Sequence, residues 1–300
     1  MEINENANVD TSQVDDVRGR GGGGFGGMIP GGGKTIGGGV VGLLIAVVAA
    51  FLGVNGLSSG VTSDSNTGDN TSIAQRCAKS NPDRFEQTDC RQVVTFNDLR
   101  DYWGQNLFPT LNAQYRDPRF TIFQQAVNTG CGQATSAVGP FYCPADQRIY
   151  IDLGFYDELA SRFGATGEFA QAYVIAHEFG HHIQTLTGTE PQVRRLQQRR
   201  PDLANRYSVA LELQADCYAG VWTKNATGGS QPLITGLTQQ DIDEALQAAA
   251  AVGDDRIQQK AGQTVNPETW THGSAEQRQQ WFTRGYSTGD PRSCDTFAGG

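Results

Sequence analysis

The residues best suited to chemistry lie between Tyr173 and Gln184, where the sequence reads Y-V-I-A-H-E-F-G-H-H-I-Q. His177 and His181 are four residues apart, and four residues of α-helix turn through about 400°, so both imidazoles lie on one face and can bind one ion. Neutral imidazole nitrogens suit Zn²⁺. Glu178 lies about 100° round the helix, where its carboxylate can act as general base on a water molecule. The spacing therefore predicts a zinc site with a catalytic base.

A chance match on an ordinary amphipathic helix is the alternative interpretation of this motif. Three of the four histidines of the chain fall within six residues, which favours a metal site. His182 departs from the pattern, because it lies about 140° from His177 and therefore off the metal-facing side.

Two histidines leave a zinc site incomplete, so a third ligand must come from elsewhere in the chain. In metzincins the motif continues with a glycine and then a third histidine ligand. This chain has Gln184 and Thr187 at those two positions and therefore does not match the metzincin motif. Further along, Glu212 and Asp216 are one helical turn apart in S-V-A-L-E-L-Q-A-D-C-Y-A-G. We expect Glu212 to bind the zinc and Asp216 to accept a hydrogen bond from the distal N–H of a ligand histidine. An exposed acidic pair is the alternative.

The remaining histidine, His272, lies in T-H-G-S-A-E-Q-R. Attack of water on a carbonyl creates an oxyanion, and a positioned N–H donor lowers that barrier beyond what a metal provides. His272 is therefore a candidate catalytic residue, and a structural or surface histidine is the alternative.

The overall composition limits the partners and the compartment. A formal net charge of −9 argues against a nucleic-acid partner, which would need a basic face. All six cysteines follow the long apolar stretch, and this one-sided distribution indicates an oxidising compartment for the C-terminal part.

We predict three disulfides among these cysteines, although six cysteines allow 15 pairings. Two pairs are neighbours in the sequence and close short loops, which leaves the last two cysteines as partners. Cys217 could instead be a small buried apolar residue. The predicted pairs are Cys77 with Cys90, Cys131 with Cys143, and Cys217 with Cys294.

The first quarter of the chain differs in composition from the rest. Residues 1–35 are polar and then glycine-rich, which predicts a disordered tail. Ile36 to Leu57 contains 22 residues without a charge, long enough for a transmembrane helix. A polar linker, 58–72, precedes the domain at 73–300.

The charges that flank the apolar stretch predict its orientation. Arg18, Arg20 and Lys34 precede it, and the next basic residue is Arg76. The positive-inside rule therefore places the N-terminus in the cytoplasm and the domain in the periplasm or outside the cell. A cleaved signal peptide is the alternative, but the preceding tail is too long and too acidic for a normal n-region.

The domain itself should be a mainly helical α+β fold with a small β-sheet. Gly139 to Leu153 has two aromatic or β-branched runs around a turn, which predicts a hairpin. Phe155 to Phe163 and Glu168 to Leu186 are predicted helices, and Gly188 ends the second one. Further helices are predicted from Pro201 to about Trp222 and from Thr238 to Val252.

Five stretches of the chain form a specific combination. They are Gly139-Pro-Phe-Tyr-Cys-Pro, Tyr150-Ile-Asp-Leu, the His177 motif with His182, Glu212-Leu-Gln-Ala-Asp-Cys-Tyr-Ala-Gly-Val-Trp and Thr271-His-Gly-Ser-x-x-x-Arg. Together they resemble the bacterial putative neutral zinc metallopeptidase family. The resemblance covers about residues 75–298 and the plan of a glycine-rich tail with one membrane anchor. It implies a zincin-like domain outside the cytoplasm, with His177, His181 and Glu212 as ligands and Glu178 as base.

The sequence thus predicts a membrane-anchored zinc endopeptidase of the Glu-zincin type that acts on peptides or proteins. The hairpin strand near Tyr150 to Leu153 could offer its edge to an extended substrate. The competing hypothesis is a non-catalytic envelope adaptor with a structural or silent zinc site. A closed site with four protein ligands would favour the adaptor, and an open position for water would favour the enzyme.

Overall fold

A computed structural model describes residues 1–19, 72–229 and 232–298 of the chain. Most of these residues are helical, as predicted, and small sheets complete an α+β fold. No helix within these ranges has both the length and the apolar character that crossing a membrane requires. The predicted span, Ile36 to Leu57, lies outside the described residues, as do residues 20–35 of the tail and most of the linker.

The helices begin and end where the sequence supplies capping groups. The side chains of Thr238 and Ser274 each cap the first turn of a helix, and Gly188 ends the helix of the His177 motif with φ 78°. The helices are α1 (Ile73–Arg76), α2 (Thr88–Leu111), α3 (Phe155–Phe163), α4 (Glu168–Thr187), α5 (Thr189–Arg199), α6 (Ala204–Asn225), α7 (Gln239–Ala251), α8 (Asp254–Lys260) and α9 (Ala275–Thr288).

The strands form one four-stranded sheet and two smaller pairs. In the larger sheet the order is β2-β3-β7-β6, with β2, β3 and β7 parallel and β6 antiparallel to β7. The hairpin predicted between Gly139 and Leu153 is therefore confirmed. The strands are β1 (Glu2–Ile3), β2 (Val14–Asp16), β3 (Arg119–Phe123), β4 (Ala126–Thr129), β5 (Gly132–Thr135), β6 (Phe141–Cys143), β7 (Arg148–Asp152) and β8 (Ile234–Gly236).

The position of the sheet edge differs from the prediction. Tyr150 to Asp152 belong to β7, which lies between β3 and β6 and has both sides hydrogen-bonded. The prediction of a free edge there is wrong. The sequence around the hairpin gives no sign of the parallel pairing with β3, because β3 comes from a separate part of the chain. Among the described strands, β6 is the edge of the sheet on this side.

The N-terminal residues also differ from the prediction. Residues 1–19 of the predicted disordered tail fold onto the domain, where β1 pairs with β8 and β2 pairs with β3. Val14 is buried, and the carboxylate of Asp15 pairs with Arg119. These contacts join residues about one hundred to more than two hundred positions apart, so local composition could not reveal them.

The three predicted disulfides are confirmed. Cys77–Cys90 ties α1 to the start of α2, and Cys131–Cys143 ties the hairpin of β4 and β5 to the edge strand β6. Cys217–Cys294 joins α6 to the segment that follows α9. Each bridge restricts the unfolded chain and thereby stabilises the fold.

Glycines allow α6 and α9 to pack at very short range. A Cβ atom on Gly220 of α6 would lie 2.1 Å from the carbonyl oxygen of Phe282. On the facing helix, a Cβ atom on Gly285 would lie 2.0 Å from the carbonyl oxygen of Cys217. Both clashes are with backbone, so neither can be relieved by a rotamer change.

We expect Gly285→Ala to lower the free energy of unfolding by about 1–3 kcal/mol or more, because it forces α6 and α9 apart. Gly104→Ala in α2 is the matched control, since its Cβ would meet only the Tyr115 ring, at 3.4 Å, and alanine favours helix. Urea denaturation of the oxidised full chain measures both variants. Equal stability of Gly285→Ala and the parent chain would contradict the close packing.

Candidate metal centre

Helix α4 carries the His177 motif into the core of the domain. Its two motif histidines lie on one face, and their ring centroids are 4.9 Å apart. Gly180 lies between them, and a Cβ atom there would lie 2.9 Å from the Cα atom of Ala215 on α6. The small residues Gly180 and Ala215 therefore let the two helices approach closely enough for their functional side chains to meet.

Glu212 of α6 faces both motif histidines. Its Oε2 atom is 3.1 Å from His177 Nε2, and its Oε1 atom is 3.5 Å from His181 Nε2. The donor atoms of the three residues all lie within 4.8 Å of one another. Two imidazole nitrogens and one carboxylate are a donor set typical of catalytic zinc sites. The residues present therefore fit the ion that the sequence predicts.

Asp216 lies directly behind His177, one turn along α6 from Glu212. Its Oδ1 atom is 2.8 Å from His177 Nδ1, and the hydroxyl of Tyr173 also donates to this oxygen. Arg278 of α9 donates to both carboxylate oxygens, at 2.8 and 3.0 Å. His177 Nδ1 can therefore carry the proton, which leaves Nε2 free to face Glu212 and a metal.

The buried charges around the three donors perturb one another. Burial alone would lower the pKa of His177, but the charge of Asp216 and the hydrogen bonds to Asp216 and Glu212 outweigh it and raise this pKa to about 10. Burial would raise the pKa of Glu212, and the neighbouring His181 and His177 lower it well below its usual range. Without a bound cation the site thus favours a protonated imidazole, and since a ligand nitrogen must be deprotonated, we expect zinc binding to release a proton.

His181 is oriented by a neutral group. Its Nδ1 atom donates to Gln184 Oε1 at 2.9 Å. The amide of Gln184 is fully buried and donates in turn to the carbonyl of Leu211, at 2.7 Å, and to Gln214 Oε1, at 3.1 Å. Sequence reasoning missed this role, and considered Gln184 only as a departure from the metzincin pattern.

His182 points away from the donors, as its position on the helix indicates. Its Nδ1 lies 3.0 Å from the hydroxyl of Tyr142 on β6, and its Nε2 donates to the carbonyl of Arg116 at 2.8 Å. Burial lowers its pKa to about 4, so the ring is neutral. His182 therefore fixes the edge strand β6 against helix α4.

His272 lies in the same cleft as the three donors and is held by a carboxylate that the sequence did not reveal. Asp254 Oδ2 accepts hydrogen bonds from the backbone N–H groups of Thr271, His272 and Gly273, at 2.8, 2.6 and 3.0 Å. Its Oδ1 atom is 3.2 Å from His272 Nδ1. Burial would lower the pKa of His272, but the bond to Asp254 and the charge of Glu212 outweigh it and raise the pKa.

A cleft of about 220 Å³ opens beside the donors. Glu178 lines it together with His177, His181, Glu212 and His272, which is where a base acting on water has to be. Large apolar side chains line the rest of the space beside these polar groups. They include Phe155, Phe163, Val174, Val252 and Ile257.

We expect Glu212→Gln to reduce the affinity for zinc by more than about 100-fold, because it removes a charged ligand while keeping the shape of the side chain. Glu158→Gln is the control, since Glu158 is an exposed acid of the same cleft and lies outside the group of three donors. Zinc content after dialysis against a graded chelator measures both. Similar losses in the two variants would show that the ligand set is misassigned.

Comparison with known proteins places the chain in a family. The model described as "Putative neutral zinc metallopeptidase" matches residues 3–297. Uncharacterized protein YpfJ of Escherichia coli (strain K12) is 44% identical over 261 residues, which cover 87% of this chain and 86% of YpfJ. Uncharacterized protein Mb2605 of Mycobacterium bovis is 48% identical over 232 residues, 75% of each chain.

No solved structure gives a significant match to this chain. The family match includes the stretches that carry His177, Glu212 and His272, as well as the docked N-terminal residues from position 3 onward. The chain therefore belongs to the putative neutral zinc metallopeptidase family.

Proposed function

We propose that this protein is a zinc-dependent endopeptidase that hydrolyses peptide bonds in peptides or proteins. The convergence of the His177, His181 and Glu212 donor atoms within 4.8 Å, beside Glu178 in an open cleft, carries this proposal. Among the described residues, the group has three protein donors, which leaves a coordination position for water. That arrangement favours an enzyme over the adaptor with a closed structural site.

Zinc held by these residues supplies a Lewis acid that polarises the scissile carbonyl and lowers the pKa of water towards 7. Glu178 takes the proton from the attacking water and passes it to the leaving amine. Asp216 and Gln184 hold the two imidazoles in the orientation that directs each Nε2 atom towards the same point. This pre-organisation means that little reorganisation is needed when the reaction occurs.

His272 is proposed to donate a hydrogen bond to the oxyanion that develops on the carbonyl. Its Nδ1 atom faces Asp254, and the ring lines the same cleft as the three donors. A protonated imidazole held in this way can supply an N–H from Nε2 to negative charge in the cleft.

The substrate is proposed to enter as an extended segment, because the cleft is far smaller than a folded domain. Strand β6 contributes Phe141 and Tyr142 to the lining, and its outer side has no strand partner among the described residues. A peptide can add to such an edge through backbone hydrogen bonds. The apolar lining favours substrates with a large apolar side chain near the scissile bond.

Attachment to a membrane through Ile36–Leu57 is also proposed, from the length and apolar character of this run. The run lies outside the described residues, so the sequence alone supports this part. Attachment would restrict the enzyme to substrates near the membrane surface.

Glu178→Gln should abolish most of the activity while leaving the zinc content unchanged, because it removes the proton acceptor and none of the three donors. A fall in kcat of about 10²- to 10⁴-fold is expected. Cleavage of casein and of a peptide library by the full chain measures it, with Glu158→Gln as the control. Zinc-loaded parent protein that cleaves neither substrate would favour the adaptor, and full activity of Glu178→Gln would remove the assigned base.

His272→Ala should keep its zinc and lose about 10²- to 10³-fold in kcat with little change in KM, because the bond to the oxyanion exists mainly in the transition state. Steady-state kinetics and metal analysis of the same preparation measure both quantities. Loss of stability with unchanged specific activity would show a packing role. Loss of zinc would show that His272 belongs to the coordination sphere.

A further inference from the structure

The first 19 residues are built into the metal-site domain through backbone pairing. Val14, Asp15 and Asp16 pair in parallel register with Phe120, Thr121 and Ile122 of β3. Beyond the strand, the N–H of Val17 donates to the carbonyl of Ile122 at 2.9 Å. Removal of this segment would expose the whole edge of β3.

Buried side chains of the domain also take hydrogen-bond partners from this segment. The guanidinium of Arg84, 2% exposed, donates to the carbonyls of Glu5 and Ala7, each at 2.8 Å. The amide of Asn97 both accepts from and donates to the backbone of Asp10, at 2.7 and 2.9 Å. Buried polar groups are costly to leave without partners, so the docked state is the stable one.

The described residues on either side of segment 20–71 lie at one corner of the domain. Asp16 and Arg18 precede this segment, and Arg76 follows it. Arg76 is 2.6 Å from Asp16, and Arg18 is 2.7 Å from Asp89 of α2. We call Asp16, Arg18, Arg76 and Asp89 the corner cluster. Because its members come from both sides of the segment, the chain leaves the domain and returns to it at the same place.

This geometry conflicts with a single membrane crossing between residues 20 and 71. A single crossing by Ile36–Leu57 would place residues 1–19 and the domain on opposite faces of the bilayer, where they cannot touch. Docking of residues 1–19 onto the domain of a second copy of the chain does not resolve the conflict. A single crossing in that copy would also place its first 19 residues on the face of the bilayer opposite the domains.

We infer that residues 1–19 and the metal-site domain occupy the same side of the membrane, so that Ile36–Leu57 does not separate them by one crossing. The positive-inside rule predicts opposite sides partly because Arg18 precedes the apolar run. In the corner cluster, however, Asp16 and Asp89 neutralise the charge of Arg18. Since the three disulfides indicate an oxidising compartment, the shared side is the outer one.

Two variants of the full chain, each with one added cysteine beside the three disulfides, test the shared side in cells. Asn6→Cys and Thr264→Cys place a thiol at exposed positions of the N-terminal segment and of the domain. A membrane-impermeant maleimide is applied to intact and to permeabilised cells, and the labelled peptides are identified by mass spectrometry, with the parent chain as control. Both positions should react in the same condition. Labelling of one position in intact cells and of the other only after permeabilisation would overturn the inference.

Hydrogen exchange on the purified full chain tests the docking without any substitution. The amides of residues 14–17 should exchange at least about 100-fold more slowly than in a free peptide, because strand pairing and the corner cluster hold them. Exchange at the rate of a free peptide would show that residues 1–19 are not docked, and would overturn the inference.

Discussion

The carboxylate of Asp216 is the interaction on which the rest of the site depends. It is fully buried on α6, and it receives Tyr173 and His177 from α4 and Arg278 from α9. Breaking a buried charge pair of this kind costs about 3–5 kcal/mol, because the remaining partner is left uncompensated. One side chain therefore locks three helices together and at the same time sets the tautomer of His177, a proposed metal ligand. Asp216 therefore contributes both to the packing of the helices and to the chemistry of the site.

The contacts of Asp216 with α4 and α9 also require that these helices pack closely against α6. Asp216 can reach both neighbouring helices only because glycines stand at the crossing points, with Gly180 facing Ala215 and Gly285 facing Cys217. Cys217 is also tied to Cys294, so the disulfide holds the segment after α9 against α6. The candidate metal site is thus supported from α4, α6 and α9, and rigid support of this kind is what preorganised catalysis requires.

The centre of the site and one of its supports, Asp216, could be predicted from the sequence. The spacing of His177 and His181 and the pairing of Glu212 with Asp216 follow from helical periodicity, which is a local property. Gln184 is one turn from His181, but its bond to the carbonyl of Leu211 on α6 is a tertiary contact that periodicity does not describe. The same holds for Asp254 with His272, and for Tyr142, which meets His182 across 40 residues. Composition indicates only a polar stretch at the N-terminus, whereas the carboxylates of Asp10 and Asp15 pair with arginines 90 and 104 positions away. The edge strand was misplaced for a related reason, since the partner of β7 comes from a distant part of the chain.

The central claim is an open zinc site made by two imidazoles and one carboxylate. X-ray absorption spectroscopy of the zinc-loaded full chain tests it most directly. We expect two nitrogen ligands at about 2.0–2.1 Å and oxygen ligands at about 2.0–2.2 Å, one from Glu212 and one from water, with the Glu212→Gln variant losing this signature. A third imidazole in the coordination shell, or a closed set of four protein ligands, would contradict the proposed open site.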